Sequence, residues 1–99
     1  MSIHKHRSSV SISSGSGSSN TMKFSMGNLI QVFLKATSTT NIFDFSMVDE
    51  DGDIVYIKEA LEGNYEEHNI YVPVRGIYTL TISNSTVDEA ITVKIMVDE

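Results

Sequence analysis

The sequence has no cysteine, a single proline and, before Asp44, no acidic residue. Without cysteine there is no disulfide framework, which suits synthesis in a cytoplasm. No stretch approaches the ~20 apolar residues that a membrane-spanning helix needs. Met1 to Arg7 is basic but runs into Ser and Gly rather than an apolar segment, so no secretory signal is expected. Motifs that carry chemistry are missing too. No serine sits in a Gly-x-Ser-x-Gly elbow, and neither Gly15 nor Gly17 is followed by a Lys-Thr pair or a helical pattern, as a phosphate loop requires. Asn84-Ser85-Thr86 matches a glycosylation acceptor, but without an export signal it reads as a loop. The expectation is a protein that is not an enzyme and carries no cofactor and no metal.

What is present is enough for one domain: 99 residues, 40% of them hydrophobic. A chain of this size hides roughly 60 to 65% of its unfolded surface, which supports a stable but modest core. Charge is segregated along it. Residues 1 to 43 carry Lys5, Arg7, Lys23 and Lys35 and no acid, whereas residues 44 to 99 hold all 13 acids against Lys58, Arg75 and Lys94, so +4 and −10 make the net −6. A basic leader on an acidic body complements either a neighbouring copy or another acidic surface. Nucleic acid is a poorer match, because only two cations lie at the tip of the leader and the body is strongly acidic.

The clearest local signal is a hairpin from Ile42 to Lys58. Asp49-Glu50-Asp51-Gly52 places Asp at the first position of a type I turn and Gly at the fourth, where a three-residue loop with a G1 bulge needs positive φ. With Asp49 opposite Asp53, Met47 faces Val55 and Phe45 faces Ile57, giving with Phe43 one apolar side. Ser46 against Tyr56 and Asp44 against Lys58 make the other side polar. A two-residue Asp51-Gly52 turn would instead set Phe45 opposite Lys58 and Met47 opposite Tyr56, mixing the faces, so the longer loop is expected.

Further strands follow from period-2 alternation. In Leu29 to Ala36, Ile30, Val32, Leu34 and Ala36 share one side; a helical period competes, but β-branched and aromatic content favours a strand. Glu59 to Asn64 reads as a loop or one helical turn stopped by Gly63-Asn64. Glu66 to Val74 is a strand that Pro73 confines to an edge or ends. Arg75-Gly76 turns the chain. Tyr78, Leu80 and Ile82 then point inward, as do Ile91, Val93, Ile95 and Val97, and these last two strands read as an antiparallel hairpin with one wet face. About six strands without a convincing helix predict an all-β fold, a small antiparallel β-sandwich of immunoglobulin-like or jelly-roll-like type. The expected sandwich spans residues 22–99, and residues 1–21 form an extended N-terminal arm rich in Ser and Gly. Within the arm Ser9-Val10-Ser11-Ile12-Ser13 alternates, which suits a strand added to another sheet's edge.

Three groups invite a ligand. Asp49, Glu50, Asp51 and Asp53 are dense carboxylates of the kind calcium favours, but Gly52 and Ala60 do not fit the EF-hand positions, and a solvated turn explains the acids. His4 and His6 share one side of an extended chain without a third ligand nearby. Tyr56, Tyr65, Tyr71 and Tyr78 offer aromatic surface for a sugar, although Tyr78 has another use.

That use comes from a resemblance. Gly76-Ile77-Tyr78-Thr79-Leu80-Thr81-Ile82, after Pro73 and before the terminal strand at 90 to 97, resembles the late-strand pattern of immunoglobulin-like sandwiches. It implies a tyrosine corner, with the Tyr78 hydroxyl bonded to backbone near Val74. The combination of basic arm and acidic sandwich, in a short chain expected to be complete from its initial Met, resembles small accessory proteins of bacteriophage virions, of head-decoration or head-to-tail type. That resemblance implies a structural virion protein made in the host cytoplasm and assembled as a homo-oligomer. It would dock on capsid or tail neighbours through Ile3, Lys5, Arg7, Val10 and Ile12 of the arm, with no membrane partner. The competing expectation is a carbohydrate- or surface-binding module using the Tyr residues and the Asp49 to Asp53 loop.

Overall fold

Alternation of apolar and polar side chains along strands builds this molecule, because each strand buries every second residue. The computed structural model describes residues 2–19 and 21–99. Among them the strands are β1 (Ile3–Ser11), β2 (Gly17–Ser18), β3 (Met22–Ala36), β4 (Ile42–Asp49), β5 (Ile54–Glu62), β6 (Asn64–Glu67), β7 (Val72–Ser83) and β8 (Ala90–Asp98). All pairings are antiparallel, in the order β1-β8-β3-β7-β4-β5, with β2 beside β7 and β6 beside β3. The all-β sandwich expected from the sequence is what forms, built from one continuous ladder that folds over itself.

β3 makes the fold-over possible. Its first half pairs with β7, from Met22 opposite Tyr78 to Leu29 opposite Val72. Its second half pairs with β8, as far as Ala36 opposite Ile91, and also with β6. Bulges between Phe24 and Gly27 and between Leu29 and Gln31 lie at the change of partner, where an extra residue bends a strand. The second bulge turns Ile30 partly outward, so Leu29, Val32, Leu34 and Ala36 fill the core rather than the uniform 30-32-34-36 set. Both flanks share that core: Phe43, Phe45 and Met47 of β4 and Ile91, Val93, Ile95 and Val97 of β8 belong to one buried cluster.

The leader is part of the body. β1 pairs with β8 over its whole length, from Ile3 opposite Asp98 to Ser11 opposite Ala90, and Val10 and Ile12 are buried. The Ser/Gly stretch after it is a tight hairpin in which Ser13 and Ser16 exchange backbone bonds and Ser14 and Gly15 both take positive φ, as a two-residue primed turn requires. Gly17 passes so close to Ser11 that a Cβ would stand 2.1 Å from the Ser11 carbonyl oxygen. The expected boundary at residue 21 therefore separates no arm from a body. Composition counted Ser and Gly as linker, whereas here they are the residues that let the chain turn sharply and pack closely.

The β4–β5 hairpin combines the expected three-residue turn with the register expected of a two-residue one. The Asp49 N–H donates to the Asp53 carbonyl (2.9 Å), that of Gly52 donates to the Asp49 carbonyl (3.1 Å), and Gly52 has φ +88°. Val48 then faces Ile54 but Met47 faces Tyr56, so Val55 is an inserted residue, and Phe45 lies opposite Lys58. The physical reason is Tyr56, whose ring packs in the core at 6.1 Å from Phe45 while its hydroxyl reaches Glu67. Ile57 is thereby left 47% exposed. Asp44 does not meet Lys58; it accepts from the Ala60 N–H and the Asn84 amide, and Lys58 pairs with Glu67 at 3.1 Å.

Other segments also depart from expectation. β5 runs on to Glu62, replacing the loop or helical turn expected at 59 to 64. The strand expected over 66 to 74 is broken after β6 and restarts as β7, which runs through Pro73 and Gly76 without turning back. At Pro73 β7 has only β3 beside it, so the missing N–H breaks no ladder on the other side. β7 and β8 do not pair, because β3 lies between them. The corner is present: the Tyr78 hydroxyl accepts from the Arg75 N–H (2.9 Å) and donates to the Arg75 carbonyl (3.1 Å), one residue from the expected position.

Candidate functional site

The same alternation that buries Val10, Val93 and Leu34 turns their neighbours outward. On the outer face of β1, β8 and β3 the register sets Arg7 opposite Lys94, Lys94 opposite Phe33, and Lys35 opposite Thr92, diagonal to Lys94. Lys5 continues the face opposite Met96, and Ile3, 61% exposed, lies opposite Asp98. Four of the chain's seven cations thus occupy one side of a protein with net charge −6.

The face is dished. Arg7, Lys35, Ala36, Thr37, Thr92 and Lys94 line an open groove of about 410 Å³. It adjoins a second depression of about 270 Å³ that shares Lys35 and Lys94 and adds Phe33, Asn64 and Glu66. The Lys94 ammonium lies 5.8 Å from the centre of the Phe33 ring, which fixes it over the aromatic face. Glu66, which lines that second depression, contacts His68 at 3.4 Å. Among the described residues Arg7, Lys35 and Lys94 have no carboxylate partner. The arrangement is a shallow cationic groove with two threonine hydroxyls, suited to holding carboxylates against the sheet.

Of the five residues expected to bind a partner, Ile3, Lys5 and Arg7 reach this face. Val10 and Ile12 do not; strand alternation places them in the chain's own core. Lys35, Lys94 and Phe33 were not anticipated as neighbours of Arg7, because only the pairing of β1 with β8 and β8 with β3 brings them together.

The other candidate groups have structural employment. The Asp49 carboxylate accepts from the N–H groups of Asp51 and Asp53, so it shapes the turn. His6 bonds to Glu99 at 2.7 Å and packs edge-on against Phe24 at 4.7 Å, apart from the exposed His4. Its contact and the Ser25 N–H hold the Glu99 carboxyl below its usual range. The tyrosines form no platform: Tyr56 and Tyr78 are buried, Tyr65 is half-buried and Tyr71 stands alone on the surface. Tyr65 and Tyr56 both donate to Glu67, at 2.6 and 2.9 Å, which with Lys58 depresses the Glu67 pKa; desolvation and the Glu67 bond push Tyr56 far up. Glu89 is held low by Ser38 and then Asn41, and it ties the 37–41 loop to the start of β8. Asn41, fully buried, accepts from Ser85 and Thr86 on its other side.

No family model and no curated protein matches this sequence. Among solved structures, the fold is similar to a chain in the structure of infectious bursal disease virus, Gx strain, at 10% identity and a TM-score of 0.35. That match takes in 96% of this chain and 32% of the other, so this chain spans about a third of the viral chain's length.

Proposed function

We propose that this chain is a non-enzymatic structural module that acts by lateral contact with other protein chains in an assembly, with a virion as the setting. The observation that carries the reading is the outer face of β1, β8 and β3. Arg7, Lys35 and Lys94 are gathered there on neighbouring strands of a chain whose net charge is −6. A shallow, open cationic groove on an acidic body steers and orients an acidic protein surface, and it is less suited than an enclosed cleft to activating a small substrate. The virion setting rests on the likeness of a short, β-rich, charge-segregated chain to small virion accessory proteins, whether of phage or of another virus. Contact is made through the exposed side of β1 and its neighbours, since the inward side of β1 is committed to the core.

The test is to isolate the chain from its native source under gentle conditions and determine the mass and composition of what contains it. The expected result is a particle of defined symmetry in which this chain is present in many copies. Recovery as a free monomer, with no particle-bound fraction, would sink the proposal.

A further inference from the structure

Arg7, Lys94 and Lys35 are held together at a local cost. Like charges directly opposite across an antiparallel pair destabilise it, and Arg7 and Lys94 are such a pair, with Lys35 on the next diagonal. No ion pair engages them among the described residues, and the one acid beside them, Glu66, lines the adjoining depression. An anionic surface from outside would neutralise them.

The same molecule carries such a surface at its other end. Asp51 and Asp53 stand exposed at the β4–β5 turn beside Gly52, which has no side chain and nothing within 4 Å of its would-be Cβ, and Glu50, also exposed, lies over Gly76 of β7; none of the three has an ion pair among the described residues. Asp49, at the base of the turn, is level with Met22, since both lie opposite Tyr78. Met22 begins β3 and Lys35 stands near its end, in a molecule 37 Å long. The acidic tip cannot bend back to the cationic groove of its own chain, but it is placed to enter that of a neighbour.

We infer that the 49–53 hairpin tip of one copy docks in the Arg7–Lys35–Lys94 groove of the next. This rests on the reading of the chain as an assembly module and names its partner as a second copy. The contact is heterologous: tip and groove are different surfaces at opposite ends, so successive copies join head to tail into a ring or an open row. A long polyanion such as nucleic acid is a worse occupant, because the groove covers three cations and the surrounding surface bears the acids of a chain of net charge −6.

The experiment is sedimentation velocity on the full chain up to millimolar concentration, with two double variants. The wild type is expected to form species larger than dimers. K35Q/K94Q, which keeps the tip, and D51K/D53K, which keeps the groove, are each expected to remain monomeric. The second variant is the sharper one. Each Asp→Lys change adds 2, so its net charge moves from −6 to −6 + 2 + 2 = −2. General repulsion therefore falls in that variant, and only loss of the tip explains loss of association. Mixed in equal amounts, the two variants are expected to form dimers and stop, since one intact tip meets one intact groove. Far-ultraviolet circular dichroism matching the wild type establishes that these surface changes leave the fold in place.

A wild type that stays monomeric overturns the inference, as does D51K/D53K associating as the wild type does, or a mixture that grows beyond dimers. Uptake of single-stranded DNA by a monomeric wild type, lost in K35Q/K94Q, would reassign the groove to a polyanion. Finding the chain in many copies in its native particle without self-association in solution leaves the assembly reading standing and removes this partner.

Discussion

The Tyr56 hydroxyl donates to the Glu67 carboxylate at 2.9 Å, and that bond joins the inserted-residue register of β5 to the short strand β6. Tyr65 and Lys58 converge on the same carboxylate at 2.6 and 3.1 Å. Removing the hydroxyl in Tyr56→Phe leaves Glu67 with its other two partners and costs about 1 kcal/mol, the usual net worth of one hydrogen bond. Urea unfolding of the variant beside the wild type measures it. A cost indistinguishable from zero would mean that Tyr56 fills the core by its ring alone.

Acid stability follows from the same site. Glu67, Glu89 and Glu99 all have pKa values below the ordinary 4.5, each lowered first by a side-chain hydrogen bond: from Tyr65, Ser38 and His6 respectively. Asp44 is likewise lowered, by the Ala60 N–H. A carboxyl whose folded pKa is depressed stabilises the fold above its unfolded value and loses that contribution as pH falls through the folded one. Stability is therefore expected to hold from neutrality to the ordinary carboxylate range and to drop below it. Glu67→Gln should shallow that drop. A loss of stability centred near neutrality would contradict these assignments.

Val10 tests whether the leader belongs to the body. It is fully buried between β8 and the hairpin that holds Gly17. Val10→Ala is expected to cost roughly 2 kcal/mol from lost burial and an incompletely closed cavity. Deleting residues 1–21 should go further and prevent cooperative folding, since it uncovers Ile91 to Val97 and frees a long β8 edge. Hydrogen exchange gives the independent check: amides of β1 paired to β8 should be protected as strongly as those of β3. A truncated chain that melts like the full one would refute this.

How far the sequence disclosed these features depended on how local each was. Ile91, Val93, Ile95 and Val97 could be read as inward from alternation alone, because β8 is flanked on both sides and buries one whole face. The Asp49–Gly52 turn was legible because its φ requirement is met within four residues. The bulge at Val55 was not, since what favours it is Glu67 on another strand, waiting for the Tyr56 hydroxyl. Ser9 to Ile12 was recognised as strand-like, but a strand pattern does not say which edge it joins, and here the edge is the chain's own β8. The cationic face was hidden for that reason: Lys35 and Lys94 were each visibly outward, and only strand order makes them neighbours of Arg7.

Two glycines should resist substitution for different reasons. Gly17→Ala drives a methyl into the Ser11 carbonyl, backbone against backbone, and is expected to disrupt the β1–β2 turn and cost several times what Gly52→Ala does. At Gly52 the space is open and only positive φ is at stake, so the penalty is about 1 kcal/mol. Thermal unfolding of the two variants side by side ranks them; equal penalties would mean that the hairpin yields at no cost.

The last expectation sets stability against contact. If Arg7 and Lys94 repel across the β1–β8 ladder, relieving one charge should strengthen the isolated fold. Arg7→Thr puts a β-branched residue, well suited to a strand, at this exposed position, removes the repulsion and leaves Lys94 over Phe33. Cross-strand pairs of this kind are worth about 0.2 to 1 kcal/mol, so the melting temperature is expected to rise by a few degrees at low salt and less at high salt, where the repulsion is already screened. Lys94→Thr is the contrasting variant, since it relieves the same repulsion but gives up the ring contact, and its gain should be smaller. Gains in both that vanish with added salt identify charge as the cause. A fall in the melting temperature of Arg7→Thr would show that the arginine stem packs on the sheet more usefully than its charge harms it, and the groove would then be no place of stored repulsion.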